Sequence, residues 1–185
     1  MAHVVSGGVR VECVQGNIAD QPDFTAVVNA ANARLMPGGG VAGALHRAAG
    51  PGLAAECRPL APIKPGEAVI TGAHKLANRY VIHCLGPVYG MDKPEDELLA
   101  RCYRNALRLA EEYWVDSVAF PGISTGAFGY PPAEAAAVTF RTIRELLPGL
   151  KEVRRIRFVL YGEPKLTVFQ EALARGFDVG GAPEK

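Results

Sequence analysis

The sequence predicts an α/β fold, a largely parallel or mixed sheet sandwiched between helices, and three observations carry that expectation. Short apolar, β-branched runs alternate with longer stretches of helical periodicity along the 185 residues. Several short runs are apolar almost throughout, as strands covered on both faces are. Hydrophobic residues make up 49% and charged residues 21%, enough apolar material for a core and too little charge for a disordered chain.

In chain order the strands are expected at Val9–Val14, Ala26–Asn29, Glu67–Thr71, Tyr80–Cys84, Ser117–Phe120 and Ile156–Tyr161. The helices are expected at Val41–Ala49, Leu53–Arg58, Glu95–Tyr113, Ala133–Leu147 and Lys165–Ala174. The third helix is the clearest. Leu98, Cys102, Leu109 and Tyr113 recur at helical spacing beside Leu99, Ala106 and Ala110, opposite Arg101, Arg104, Arg108 and Glu112. It opens after Pro94 with Glu95, Asp96 and Glu97, which suit the positive end of a helix dipole. The length suits a single domain over residues 1–179, with Gly180–Lys185 read as a disordered tail.

Composition removes several function classes. The formal net charge is +1, so nucleic acid is not expected as the main ligand, although a local basic patch or modified nucleic-acid ends stay compatible. The four cysteines form no C-x-x-C pair and read as buried small hydrophobes. His3, His46, His74 and His83 show no i, i+3 or i, i+4 pairing, so no metal is expected. His83 sits inside an apolar strand and reads as a core histidine. Met1–Arg10 lacks a signal-peptide pattern, and the longest uncharged run, Ser117–Ala133, has 17 residues but three Gly and three Pro. A cytoplasmic monomer without a membrane partner is the expectation.

Two glycine-rich segments stand apart from this scaffold. The first runs Asn29-Ala30-Ala31-Asn32, then Met36-Pro37-Gly38-Gly39-Gly40-Val41-Ala42-Gly43, and leads into a helix. The second, Phe120 to Tyr130, again joins a strand to a helix. Ligands of open α/β sheets bind outside the carboxyl ends of strands, where glycines let backbone N–H groups approach an anion. Two such loops predict a clamp on a group the size of a pyrophosphate. Gly38 to Gly43 matches G-x-G-x-x-G, but about eight residues separate it from its strand and Arg58 to Gly66 carries no acid, so the dinucleotide reading fails. Gly122 to Gly126 matches G-x-S-x-G, but every histidine precedes Ser124, which is the wrong order for that hydrolase fold.

Taken together, Gly16-Asn17-Ile18, Asn29 to Asn32, Gly38 to Leu45, His83 to Pro87 and Pro121 to Pro131 resemble the macrodomain family. The similarity runs from about Val11 to Ala174. His46 to Pro51, Glu56-Cys57-Arg58 and Ile123 to Gly126 look closest to its MacroD-type branch. The resemblance implies a three-layer α/β/α sandwich whose cleft binds ADP-ribose, or an ADP-ribosylated macromolecule, and often hydrolyses ADP-ribosyl bonds without a metal or cofactor. It implies Asn17, Ile18 and Tyr161 at the adenine, and Asn29, Asn32, Gly39, Gly40 and Phe128 at the distal ribose. Gly43, Ala44, Leu45, Ser124, Thr125, Gly126, Ala127 and Gly129 would wrap the diphosphate. Asn29 reads equally as a residue tying down its turn.

Two departures from the family pattern stand out. Asn17 replaces the usual Asp at the adenine end, which removes charge assistance from that contact. Ala42 stands where MacroD-type hydrolases carry the acid that activates water. His46, one helical turn on, is the nearest substitute by spacing, and so joins Asn32 as a catalytic candidate; otherwise it packs or caps. Substrate assistance, with the protein supplying orientation alone, is the other route. Three functions follow: an ADP-ribosyl hydrolase, an ADP-ribose 1″-phosphate phosphatase, and a reader that binds ADP-ribose without turnover.

Overall fold

In the computed structural model, which describes residues 2–177, seven strands form one sheet in the order β1-β2-β7-β6-β3-β5-β4. The strands are β1 (Ala2–Ser6), β2 (Val9–Gln15), β3 (Ala26–Ala30), β4 (Ala68–Gly72), β5 (Tyr80–Cys84), β6 (Ser117–Phe120) and β7 (Arg155–Leu160). The helices are α1 (Gly40–Ala49), α2 (Pro51–Cys57), α3 (Glu95–Glu112), α4 (Pro132–Leu146) and α5 (Glu163–Gly176). The five strands from β2 to β5 in spatial order run parallel, and only the edge strands β1 and β4 pair antiparallel with their neighbours. The sheet is therefore mixed and largely parallel, as expected.

Strand side chains alternate between two cores, which makes the three layers. Val28, Ile82, Phe120, Phe158 and Leu160 face α3, α4 and α5. Val27, Val81, Ala119 and Val159 face Leu45 and Ala49 of α1 and Leu53 and Cys57 of α2. Phe120 and Phe158 stack 5.4 Å apart, and Phe140 meets Phe158 edge-on at 5.0 Å. On the face of β2 and β7 away from α5, Glu12 is buried against Arg157 at 2.8 Å, and Phe24 lies under the guanidinium groups of Arg155 and Arg157.

The structure adds one strand that was not expected. β1 folds back on β2 through Gly7 and Gly8, both at positive φ, in a two-residue hairpin that pairs Ser6 with Val9. Other elements differ by one or two residues at their ends; β7 stops at Leu160, so Tyr161 lies beyond the strand. On α3 the buried stripe takes in Tyr103 and Leu107, whereas Leu98 is half-buried and Tyr113 exposed. The tail assigned to Gly180–Lys185 lies outside the described residues.

All four cysteines are free and buried; burial pushes the Cys13 thiol up to about 12 and the Cys57 thiol to about 11. His83 is a core histidine. Asn29 Nδ2 donates to its Nδ1 at 3.0 Å, which leaves the proton on Nε2, 3.0 Å from Thr71 Oγ1. No described helix is long and apolar enough to cross a membrane, and no three metal-ligating side chains gather among the described residues.

Candidate functional site

The site is assembled at the carboxyl ends of the parallel strands. The helix that follows β3 packs on one face of the sheet, while those following β6 and β7 pack on the other, and a crevice opens where they part. A cleft of about 540 Å³ lies there. Its lining comes from Gly16, Asn17 and Ile18 after β2, from one face of α1, from Pro121, Gly122, Thr125 and Gly126 after β6, and from Val159 to Tyr161 with Lys165.

Helix α1 has a cleft face and a core face. Gly40, Val41, Ala44 and Arg47 recur every three or four residues along the cleft, while Ala42, Leu45, His46 and Ala49 are buried. Among the described residues no side chain caps its N-terminus, and its first turn holds no acid, so its first N–H groups and the positive end of its dipole are available to an anion. The loop leading to it is held by Asn32, whose Nδ2 donates to Met36 O at 2.8 Å while its Oδ1 accepts from Met36 N at 3.1 Å. A Cβ on Gly43 would collide with the Gly38 carbonyl oxygen, so the loop crosses the helix where only glycine fits.

The second loop is braced from several sides. Thr125 Oγ1 donates to Gly122 O at 2.7 Å, Tyr130 N donates to Ser124 O at 2.9 Å, and Lys165 Nζ donates to Thr125 O at 2.9 Å. Ser124 takes a positive φ of 65° and tucks its side chain against Gly86, where any Cβ would displace it. The outcome is a rigid turn with Gly126 open to the cleft.

The structure thus brings Asn17, Ile18, Gly40, Ala44, Thr125, Gly126 and Tyr161 together on one surface. Tyr161 is 90% exposed, a rim residue with its ring in solvent. Gly39, Ala127 and Gly129 are exposed on the two loops outside that lining, and Phe128 packs half-buried against the α1 side. Gly43, Leu45, Ser124 and Asn29 lie behind the surface, each buried. The carboxamide of Asn32 holds its own loop with one N–H and one lone pair, and is not part of the cleft lining. His46 shares a face with Ala42, as its spacing requires, but that face is the buried one. Both ring nitrogens are enclosed without a partner, and burial lowers the pKa of the ring. A catalytic imidazole in the cleft is therefore not what this structure contains.

Sequence reasoning missed the two cations of the lining, Arg47 and Lys165. Arg47 follows Ala44 by three residues on the same face, a signal that was there to read. Lys165 required knowing that α5 begins beside the second loop.

Comparison with known proteins agrees with this geometry. The family model described as Macro domain matches residues 28–139. A macro domain-containing protein of Chlorobaculum tepidum is 49% identical over 152 residues, 82% of this chain and 88% of its own. An O-acetyl-ADP-ribose deacetylase of Cronobacter sakazakii is 44% identical over 178 residues, covering 94% of this chain and 98% of the relative. The Oceanobacillus iheyensis macrodomain solved with ADP superposes at a TM-score of 0.89 and 38% identity over 95% of either chain. A family match across more than half of the sequence and a fold shared over 95% of the chain lead to one assignment: the chain belongs to the macro domain family.

Proposed function

We propose that the cleft binds ADP-ribose and that the protein hydrolyses an ester on its distal ribose. The observation that carries this reading is the opposition of the uncapped α1 N-terminus and the braced Gly122–Gly126 turn across one cleft, with Arg47 and Lys165 as its only lining charges among the described residues. That arrangement suits a diphosphate held between backbone N–H groups, and about 540 Å³ falls within the roughly 300–1,000 Å³ of small-molecule sites. Relatives named for deacetylation of O-acetyl-ADP-ribose and a neighbour solved with ADP support the ligand and the reaction class.

With Ala42 at the acid position and His46 turned inward, no lining side chain is a ready base. The chain's contribution is orientation: it fixes the distal ribose and leaves the diphosphate to position water. Water then adds to the acyl carbon, the acyl C–O bond to the ribose breaks, and a carboxylic acid and ADP-ribose leave. The same two residues favour a second reading, binding without turnover.

Calorimetric titration with ADP-ribose, ADP and AMP tests the first half. ADP-ribose is expected to bind in the micromolar range and the truncated ligands more weakly. Chromatographic assay on O-acetyl-ADP-ribose, on a glutamate-ADP-ribosylated protein and on ADP-ribose 1″-phosphate tests the second. Release of ADP-ribose from either ester supports the hydrolase, release from the phosphate alone identifies a phosphatase, and binding without release from any of them leaves the reader.

A further inference from the structure

One turn decides what the base end of the cleft offers its ligand. Asn17 Oδ1 accepts the Ala19 backbone N–H at 2.9 Å, closing an Asx turn just after β2. A backbone N–H can face only the oxygen of a carboxamide, so this bond also fixes which way the amide points. Its NH2 group has no partner among the described residues, and Asn17 is exposed on the cleft wall. A carboxylate in the same turn would spend one oxygen on Ala19 and hold out the other as an acceptor. A carboxamide holds out a donor.

Arg47, on the α1 side of the same lining, is a donor only, is exposed, and forms no ion pair among the described residues. Among the described residues no Asp or Glu lines the cleft; Asp20, the acid nearest to Asn17 in the chain, stays outside the lining. The remaining wall, Ile18, Val159, Leu160 and Tyr161, is apolar or aromatic and suits the faces of a flat ring rather than its polar edge.

We propose that this wall reads a base edge rich in acceptors, so that the cleft takes nucleoside diphosphate riboses bearing a 6-oxopurine at least as well as ADP-ribose. The inference rests on the binding reading given above. Adenine presents an amine at its 6-position and finds no carboxylate among the described lining residues, so it meets the donors of this wall through its ring nitrogens. Hypoxanthine and guanine present O6 beside N7, the acceptor pair that side-chain donors grip in nucleic acids.

Competition calorimetry with ADP-ribose, inosine diphosphate ribose and GDP-ribose tests it. The better 6-oxopurine ligand is expected to bind within about threefold of ADP-ribose, or more tightly. Asn17→Asp keeps the turn and is expected to move the ratio toward adenine by about tenfold or more. Arg47→Ala, on a different element, is expected to lose several-fold more affinity for the 6-oxopurine ligand than for ADP-ribose. A wild-type preference for ADP-ribose of about tenfold over both 6-oxopurines overturns the proposal while leaving the binding reading standing. An unchanged ratio in folded Asn17→Asp overturns it too, and no binding of any of the three removes both.

Discussion

Gly126 and Gly86 are both glycines of the site, for opposite reasons. A side chain at Gly126 would meet nothing within 4 Å, because the position opens on the cleft. Gly126→Glu is therefore expected to leave stability within about 0.5 kcal/mol of wild type. Its carboxylate would stand where the diphosphate is proposed to lie, lowering ADP-ribose affinity about 100-fold or more in calorimetry. At Gly86 a Cβ would press on Ser124 Oγ and lie 2.7 Å from Ile123 Cγ2. Gly86→Ala is expected to cost about 1–3 kcal/mol in chemical denaturation and to weaken binding by shifting the second loop. Asn32 gives a third case. Since its carboxamide bonds both ways to Met36, Asn32→Ala is expected to release the first loop and to lower binding and turnover together. A fall in kcat with ADP-ribose affinity intact would instead mean that Asn32 touches the reacting ribose.

Helix α1 shows how much of an element its sequence discloses. Val41–Ala49 and the glycines before it were legible as a helix entered from a ligand loop, and the spacing placed Ala42 and His46 on one face. Which face met the cleft depends on how α1 lies across β3, and no local pattern encodes that, so His46 passed for a catalytic group. The β1 hairpin is the converse: Gly7-Gly8 between two apolar stretches is a strong local turn signal, overlooked because the strand it introduces is short and half exposed. The buried His46 also has a consequence for stability. Its pKa is lowered by burial, and that of His83 is lowered to about 3 by burial and by the neighbouring His46 ring. Both are thus neutral in the fold, whereas the unfolded chain takes up protons below about pH 6.5. Stability from these residues is complete above that value and falls as pH drops, for His83 down to about pH 3, by up to about 1.4 kcal/mol per unit per histidine. Asp23 and Asp116, held below the usual carboxylate range by their partners, lose their contribution only at lower pH. Denaturation midpoints compared at pH 7 and pH 5 are expected to drop, and His46→Met to flatten part of the slope.

The molecule as a whole is held by two cores that share one sheet, and β7 belongs to both. Phe158→Ala would hollow the larger core at the centre of its aromatic cluster and is expected to cost about 3–5 kcal/mol. ADP-ribose at 100 times its dissociation constant is expected to add about 2.7 kcal/mol and to raise the melting temperature by about 5–10 °C in differential scanning fluorimetry. The place of β7 matters for a further reason. In the sheet order, the β1–β2 hairpin meets the four strands from β6 to β4 only through β7, which enters between β2 and β6. The Gly16–Ile18 wall, early in the given sequence, thus takes its place opposite the glycine turns only through a strand that comes more than 130 residues later. A chain without β7 has no second wall to set against the glycine turns, and without Lys165 the second turn loses one of its braces. Free ligand therefore gains both sides of its grip, and can lend stability to the fold, only once β7 has entered the sheet.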